Sequence, residues 1–244
     1  MCARYAITSA PAVIRALFGY DERPNFPPRY NVAPSQPIPI VRLAYGKRQF
    51  ALARWGLIPA WVKDPKKISL HVNARGESAL EKPAFRNAMR RRRCLIPADG
   101  FYDWQQGTPS RPYFVRPKTP GQPMALAGLW ETWTGPNGEE VDTAAIVTTR
   151  ANQMLAPVHD RMPVIVPPEA FDLWLDCANV EATTAAALIA SAPEALLECY
   201  EVSTAVNKVA NDGPRLIEPA SSAERSELAK KPAVSKSEQQ LSLF

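Results

Sequence analysis

"PMALAGLWETWTGPNGEEVDTAAIVTT", residues 123–149, decides the class of fold. Pro123–Trp133 and Asp142–Thr149 are apolar runs of strand type. Between them "TGPNGEE" carries the Gly-Pro and Asn-Gly signals of a turn. The stretch therefore predicts a β-hairpin. Working outward, "IPIVRLAY" (38–45), "FALARWGLI" (50–58), "RCLIPA" (93–98) and "PYFVR" (112–116) read as further strands. "APAVIRALFG" (10–19) has a helical apolar period, and "YDERPNFPPRYNVAPSQP" (20–37) reads as a loop. Helical patterns return at "PEAFDLWLD" (168–176) and "VEATTAAALIASA" (180–192), followed by a strand-like "YEVSTAV" (200–206). Strands and helices are interleaved without regular βαβ alternation. That pattern predicts an α+β single domain with a mostly antiparallel, barrel-like β core flanked by helices.

The folded part is expected to span residues 1–218. Residues 219–244 are polar, charged and rich in Ser and Ala, a composition that cannot bury enough surface to offset its ordering entropy, so a disordered tail is expected there. The tail nevertheless ends "QQLSLF", with Leu241, Leu243 and Phe244 at the terminus. Within the 244 residues, 46% are hydrophobic, which suits a folded globule, and 25 prolines against 11 glycines imply many fixed turns. The formal charge of +5 points weakly toward a polyanion partner. No apolar stretch approaches a membrane span, and Arg15 interrupts the N-terminal apolar segment, so no export signal is read. The expectation is a cytoplasmic monomer with reduced thiols.

Four cysteines are present, Cys2, Cys94, Cys177 and Cys199, and no pair has Cys-x-x-Cys spacing. No metal or other cofactor is expected, because no His, Cys or acidic residues stand at a ligand spacing. Cys2 is chemically distinct from the others. Removal of Met1, by a methionine aminopeptidase or by self-processing, would leave an amine and a thiol on adjacent carbons. Such a 1,2-aminothiol condenses with an aldehyde to a Schiff base and closes to a thiazolidine. An α-amine is about 10–17% neutral at pH 7, against about 0.04% for a lysine. Three further segments carry candidate chemistry: Asn73, Arg75 and Glu77 in "HVNARGES", Asp103 beside Trp104 in "PADGFYDW", and His159, Asp160 and Arg161 in "PVHDRMPVIV". His159 is one of only two histidines and is a candidate for proton transfer. Each has an ordinary structural reading as well: a helix cap for Asn73, a turn tie for Asp103, a satisfied structural histidine for His159. "MRRRRC" (89–94) reads equally as a DNA-facing patch or a solvated basic face.

Six segments in order, "MCARYA", "YNVAPSQ", "RWGLIPAW", "NARGES", "RCLIPADGFYDW" and "HDRMPVIV", resemble the SOS-response-associated peptidase (SRAP) family over residues 2–218. The resemblance implies a protein of the SOS and DNA-damage response that captures abasic sites in single-stranded DNA as a covalent thiazolidine crosslink, with possible lyase activity and autocatalytic or peptidase removal of Met1. It implies Cys2 as nucleophile, Asn73 as a positioning group, Asp103 in proton transfer and His159 in sugar-ring opening and reversal. Arg4, Arg75 and Arg161 would hold phosphates, and Trp61 and Trp104 would lie near the DNA groove. Two departures stand out: Asp103 replaces the usual Glu, and Gly76 stands where a larger residue is usual. Gln240, Leu241, Leu243 and Phe244 resemble a bacterial sliding-clamp-binding motif, which implies a replication-clamp partner and a nucleoid-associated location. The rival readings are a class II glutamine amidotransferase, in which a terminal cysteine attacks an amide, a non-covalent single-stranded DNA reader, and a peptidase acting on other proteins.

Overall fold

The computed structural model describes residues 2–107, 109–119 and 121–224. The strands are β1 (Arg4–Ile7), β2 (Arg29–Val32), β3 (Pro37–Ala44), β4 (Lys47–Trp55), β5 (Asn73–Arg75), β6 (Arg93–Ala98), β7 (Gly100–Gln105), β8 (Arg111–Pro117), β9 (Met124–Thr134), β10 (Glu140–Arg150), β11 (Arg161–Pro163), β12 (Ile165–Val166) and β13 (Leu197–Glu201). The α-helices are α1 (Pro11–Phe18), α2 (Arg86–Arg91), α3 (Phe171–Leu175) and α4 (Ala182–Ala186).

The hairpin of residues 123–149 organises the molecule. β9 and β10 pair from Thr134↔Glu140 to Gly128↔Ile146. Hydrogen bonding then runs β10–β4, β4–β3, β3–β6, β6–β9 and back to β10, so five strands close on themselves into a barrel. Only the pairings of β10 with β4 and with β5 are parallel in that sheet. Residues Met124–Trp130 form a nearly continuous apolar run because both faces of β9 are covered, one by the barrel interior and one by packed elements outside it. Gly128 lies opposite Cys94 in β6, and a β-carbon there would sit 2.7 Å from Cys94 Sγ. The close approach of β6 and β9 therefore requires glycine.

A second, fully antiparallel sheet has the order β13-β8-β7-β1-β2. One of its faces packs on the barrel, where the rings of Tyr5 and Trp55 meet edge to face at 5.4 Å. Its other face buries Ala6, Tyr102 and Phe114 under Val202, Val206 and Leu216. The helix expected at residues 10–19 is present. Pro11 stands in its first turn and Ile14 and Phe18 form the buried stripe.

Four local expectations are corrected. The segment 20–37 contains β2, which pairs with β1 even though its residues mix polar and apolar types. The helical pattern of 180–192 yields only Ala182–Ala186 as α-helix, since the Leu188 and Ile189 N–H groups donate three residues back, to the Ala185 and Ala186 carbonyls, and the turn tightens. The strand near 200–206 is instead Leu197–Glu201, and Thr204–Asn207 is a 3₁₀ turn started by the Ser203 hydroxyl accepting from the Ala205 N–H. Arg93 in "MRRRRC" faces no solvent at all. It is 1% exposed and donates to the carbonyls of Met89, Trp174, Asp176 and Val180. Beyond residue 218, Pro219 bridges Val202, and Ala220 N–H donates to the Glu201 carbonyl. The tail residues Gln240, Leu241, Leu243 and Phe244 lie outside the described residues. Among the described residues no helix is long and apolar enough to cross a membrane.

Candidate functional site

Cys2, immediately before β1, is fully buried, and its thiol donates a long hydrogen bond to the Arg4 carbonyl, at 3.7 Å. The antiparallel register that sets Arg4 opposite Tyr102 brings Asp103 alongside the residues just ahead of β1. Burial pushes the Cys2 thiol far above its ordinary range, and the Asp103 carboxylate pushes it further. The thiol is thus held protonated.

Asn73 comes from the other sheet. It opens β5, paired to Ile146 of β10, and the preceding residue is pinned by Trp55 Nε1 donating to the Val72 carbonyl at 3.0 Å. Asn73 Nδ2 donates to the Cys2 carbonyl at 2.8 Å, so the barrel holds the N-terminal segment directly. Asn73 Oδ1 is buried with no partner among the described residues.

Asp103 is 1% exposed. Burial raises its pKa above the ordinary aspartate range, opposed by His159 and by the Trp104 N–H, which donates to Oδ1 at 3.0 Å. A carboxyl so placed keeps its proton to higher pH than a surface aspartate does, as a group that must both give and take a proton requires. Its field also reaches Cys199 on β13, whose thiol burial and Asp103 together push up to about 11.

His159 ends a compact turn. Asn152, buried, accepts from the Leu155 N–H through Oδ1 and donates to the Ala192 carbonyl, while Gln105 Nε2 ties the Pro157 carbonyl to the end of β7 at 3.0 Å. His159 Nδ1 accepts from the Arg161 backbone N–H at 3.0 Å, and Asp160 Oδ1 lies 2.8 Å from the same nitrogen. The two contacts demand opposite protonation of Nδ1. The backbone N–H is fixed in place, whereas the exposed Asp160 carboxylate can rotate away.

The expected phosphate ligands divide. Arg75, last in β5, is exposed. Arg161 donates to both oxygens of Glu77, at 2.7 and 2.8 Å, and to the Thr148 carbonyl at 2.7 Å. This fork holds the Glu77 carboxyl below its usual range. Arg4 donates to Asn31 Oδ1 and to the Val206 carbonyl, both at 2.8 Å. Trp104 is half-buried, donates from Nε1 to Asn207 Oδ1 at 2.8 Å and lies under Arg4, whose Cζ is 5.9 Å from its ring centroid. Trp61 is 66% exposed, outside this cluster. Gly76 is explained by packing: a β-carbon there would meet Ile189 Cγ2 at 2.3 Å and the Thr148 carbonyl oxygen at 3.2 Å.

Asn31, Gln105, Asn152 and Thr148 were missed as site-forming residues. Each is a polar residue made visible by a long-range partner; Thr148 stands at the end of the apolar run "AAIV", whereas Gln105 in "DWQQGT" and Asn152 in "TTRANQ" have polar neighbours and no local signal. No group of three His, Cys, Asp or Glu side chains suited to a metal occurs among the described residues. A cleft of 410 Å³ beside Lys118, Met124, Pro167, Phe171 and Leu196 is lined by none of these residues. Chemistry rather than volume marks the site.

A closed barrel and a flanking antiparallel sheet together enclose the buried Cys2, with Asn73 contributed from the barrel side and Asp103 from the flanking sheet. The model of the SOS response associated peptidase (SRAP) family matches residues 1–209, and the chain belongs to that family. It is 37% identical over 222 residues to the abasic site processing protein YoqW of Bacillus subtilis, covering 89% of this chain and 99% of that one. It is 31% identical to the abasic site processing protein HMCES of Gallus gallus, covering 90% and 78%. Among solved structures, a phage-related protein from Bordetella bronchiseptica superposes with a TM-score of 0.65 at 30% identity, over 82% of this chain and 94% of that one. A Bacteroides thetaiotaomicron protein, 24% identical, shares the fold with a TM-score of 0.80 over 90% of this chain and 100% of that one.

Proposed function

We propose that this protein processes abasic sites in single-stranded DNA by capturing the lesion's aldehyde on Cys2 after loss of Met1, shielding it as a thiazolidine crosslink. The observation that carries the reading is the hydrogen bond from Asn73 to the carbonyl of the buried Cys2, with the buried Asp103 close enough to act on the Cys2 thiol electrostatically.

The chemistry balances with the groups present. The neutral α-amine adds to the aldehyde carbon, and Asp103 protonates the departing hydroxyl, so that water leaves and a C=N bond forms. The Cys2 sulfur then adds to that carbon, and the thiol proton passes to nitrogen by way of the Asp103 carboxylate. A thiol kept protonated suits this order, since the amine must attack first. His159 serves the ring oxygen of the closed sugar, opening the hemiacetal and assisting reversal. Asn73 Oδ1 is available to a sugar hydroxyl or to the processed amine. Arg75 supplies a phosphate contact, Arg4 and Arg161 order the groove around it, and Trp104 and the exposed Trp61 offer faces on which bases stack at about 1–3 kcal/mol each.

The test is a denaturing gel. Protein with a native terminus should shift an abasic single strand and leave an intact strand unshifted. Cys2→Ala, or an extension left ahead of Cys2, should abolish the product, and equal crosslinking by the extended protein would reject the mechanism. The terminal Gln240, Leu241, Leu243 and Phe244 are proposed to recruit the domain to the replication sliding clamp. A peptide of the last ten residues should bind the clamp at about −8 kcal/mol, and no heat at high peptide concentration would reject this.

A further inference from the structure

We infer that Arg111 is a further phosphate-contacting residue of the DNA groove and that Glu201 holds it in place when no strand is bound. The inference rests on the reading that single-stranded DNA is the substrate.

The register of three neighbouring strands supplies the geometry. Gln105 of β7 lies opposite Arg111 of β8, Asp103 opposite Tyr113, and Tyr113 opposite Glu201 of β13. Directly paired residues and residues two apart share a face, so Arg111 and Glu201 stand on the same face as Asp103. Arg111 Nη2 donates to Gln105 Oε1 at 2.9 Å, and Gln105 in turn donates to the Pro157 carbonyl, two residues ahead of His159. Arg111 therefore sits on the rim that joins the Asp103 row to the His159 turn.

Its bonding state differs from that of the other arginines. Arg161 is gripped through both Glu77 oxygens and a carbonyl, and Arg4 through a side chain and two carbonyls. Turning either guanidinium toward DNA breaks several good hydrogen bonds. Arg111, with its side chain 46% exposed, has one hydrogen bond among the described residues and a 3.6 Å approach to Glu201 Oε2, too long for a hydrogen bond. It can turn its fork to a phosphate at small cost, and that planar fork matches phosphate oxygens. The Glu201 side chain is only 10% exposed, and its Oε1 is buried with no partner among the described residues. A sequestered carboxylate with an unmatched oxygen keeps a cation near without saturating it. It also opposes the arrival of an anion, so Glu201 sets how readily Arg111 is released.

The experiment is anisotropy of an intact single-stranded oligonucleotide with the full-length protein across a salt series. Arg111→Ala should flatten the slope of log K against log salt by about 0.7, one phosphate contact on a single strand, and Arg111→Lys should retain the slope. Glu201→Gln should tighten binding at low salt. With an abasic strand, Arg111→Ala should raise the protein concentration for half-maximal capture and leave the saturated rate unchanged. An unchanged slope in Arg111→Ala, with or without a lowered urea midpoint, overturns the assignment, and weaker binding by Glu201→Gln overturns the holding role. If the wild-type protein neither binds single strands nor crosslinks abasic ones, the functional reading itself falls; if it does both and Arg111→Ala matches it, only this inference falls.

Discussion

In the proposed mechanism Asp103 carries the proton transfers, and its burial makes opposite demands on stability and on that role. Its folded pKa lies above the unfolded value, because desolvation penalises the carboxylate more than His159 and the Trp104 N–H favour it. The folded state therefore binds the proton more tightly than the unfolded state. Ionisation costs stability above the folded pKa, and that cost disappears as pH falls through the folded pKa toward the unfolded one. Asp103→Asn keeps an acceptor for the Trp104 N–H and removes the charge. Its melting temperature relative to wild type should be higher at pH 7.5, with the difference shrinking toward pH 4. Its capture rate, measured on protein already lacking Met1, should fall by about 10²-fold or more, the usual worth of a positioned acid–base group. The wild-type rate should follow a bell, rising with pH as the α-amine loses its proton and falling as the Asp103 carboxyl ionises. A stopped-flow pH series on both proteins checks this, and a bell surviving in Asp103→Asn would clear Asp103 of the role.

Among the elements, β6 shows how a charge can serve a fold instead of a ligand. Arg93 begins the strand and sends its guanidinium to Trp174 and Asp176 at the C-terminal end of α3, to Met89 in α2 and to Val180 beyond. Carbonyls at a helix C-terminus lack intrahelical partners, and a cation is favoured there. Truncating Arg93 strands several buried acceptors at once. Arg93→Ala should destabilise the protein by about 3 kcal/mol or more, whereas Arg90→Ala, on the exposed side of α2, should stay within about 0.5 kcal/mol. Urea unfolding of both variants decides it, and equal small effects would return Arg93 to the solvated basic face.

At the scale of the molecule, the site belongs to neither sheet alone. Cys2 and Asp103 come from the flanking sheet, while Asn73 and the Arg161 segment hang from β10 of the barrel. The sheets are joined by one continuous core that includes Tyr5, Trp55 and Cys2 itself. Capture activity and the fluorescence of the six tryptophans should therefore be lost at one urea midpoint. Activity lost well before fluorescence would mean that the sheets separate while each stays folded.

Much of this was legible in the sequence, for a physical reason in each case. The hairpin of 123–149 announced itself because apolar runs and turn residues act locally, and a barrel-like antiparallel core followed from the number of such runs. Cys2, Asn73, Asp103 and His159 stood out because their chemistry is carried by residue type and by their place in segments resembling a family. What sequence could not decide is how far each polar group is satisfied, since that depends on partners distant along the chain. "MRRRRC" reads as four equivalent cations, and only packing separates buried Arg93, held against α3, and half-buried Arg92, paired with Glu131, from exposed Arg90 and Arg91. Arg4, Arg75 and Arg161 read alike as phosphate ligands, and only the tertiary structure distinguishes two arginines engaged by Asn31 and Glu77 from one that faces solvent. The sequence by itself marked out the candidate groups; the tertiary structure alone placed Asn73 on β5 and Asp103 on β7 and decided which groups are buried and paired, because strand pairing, burial and hydrogen-bond partners are set by residues far apart in the chain.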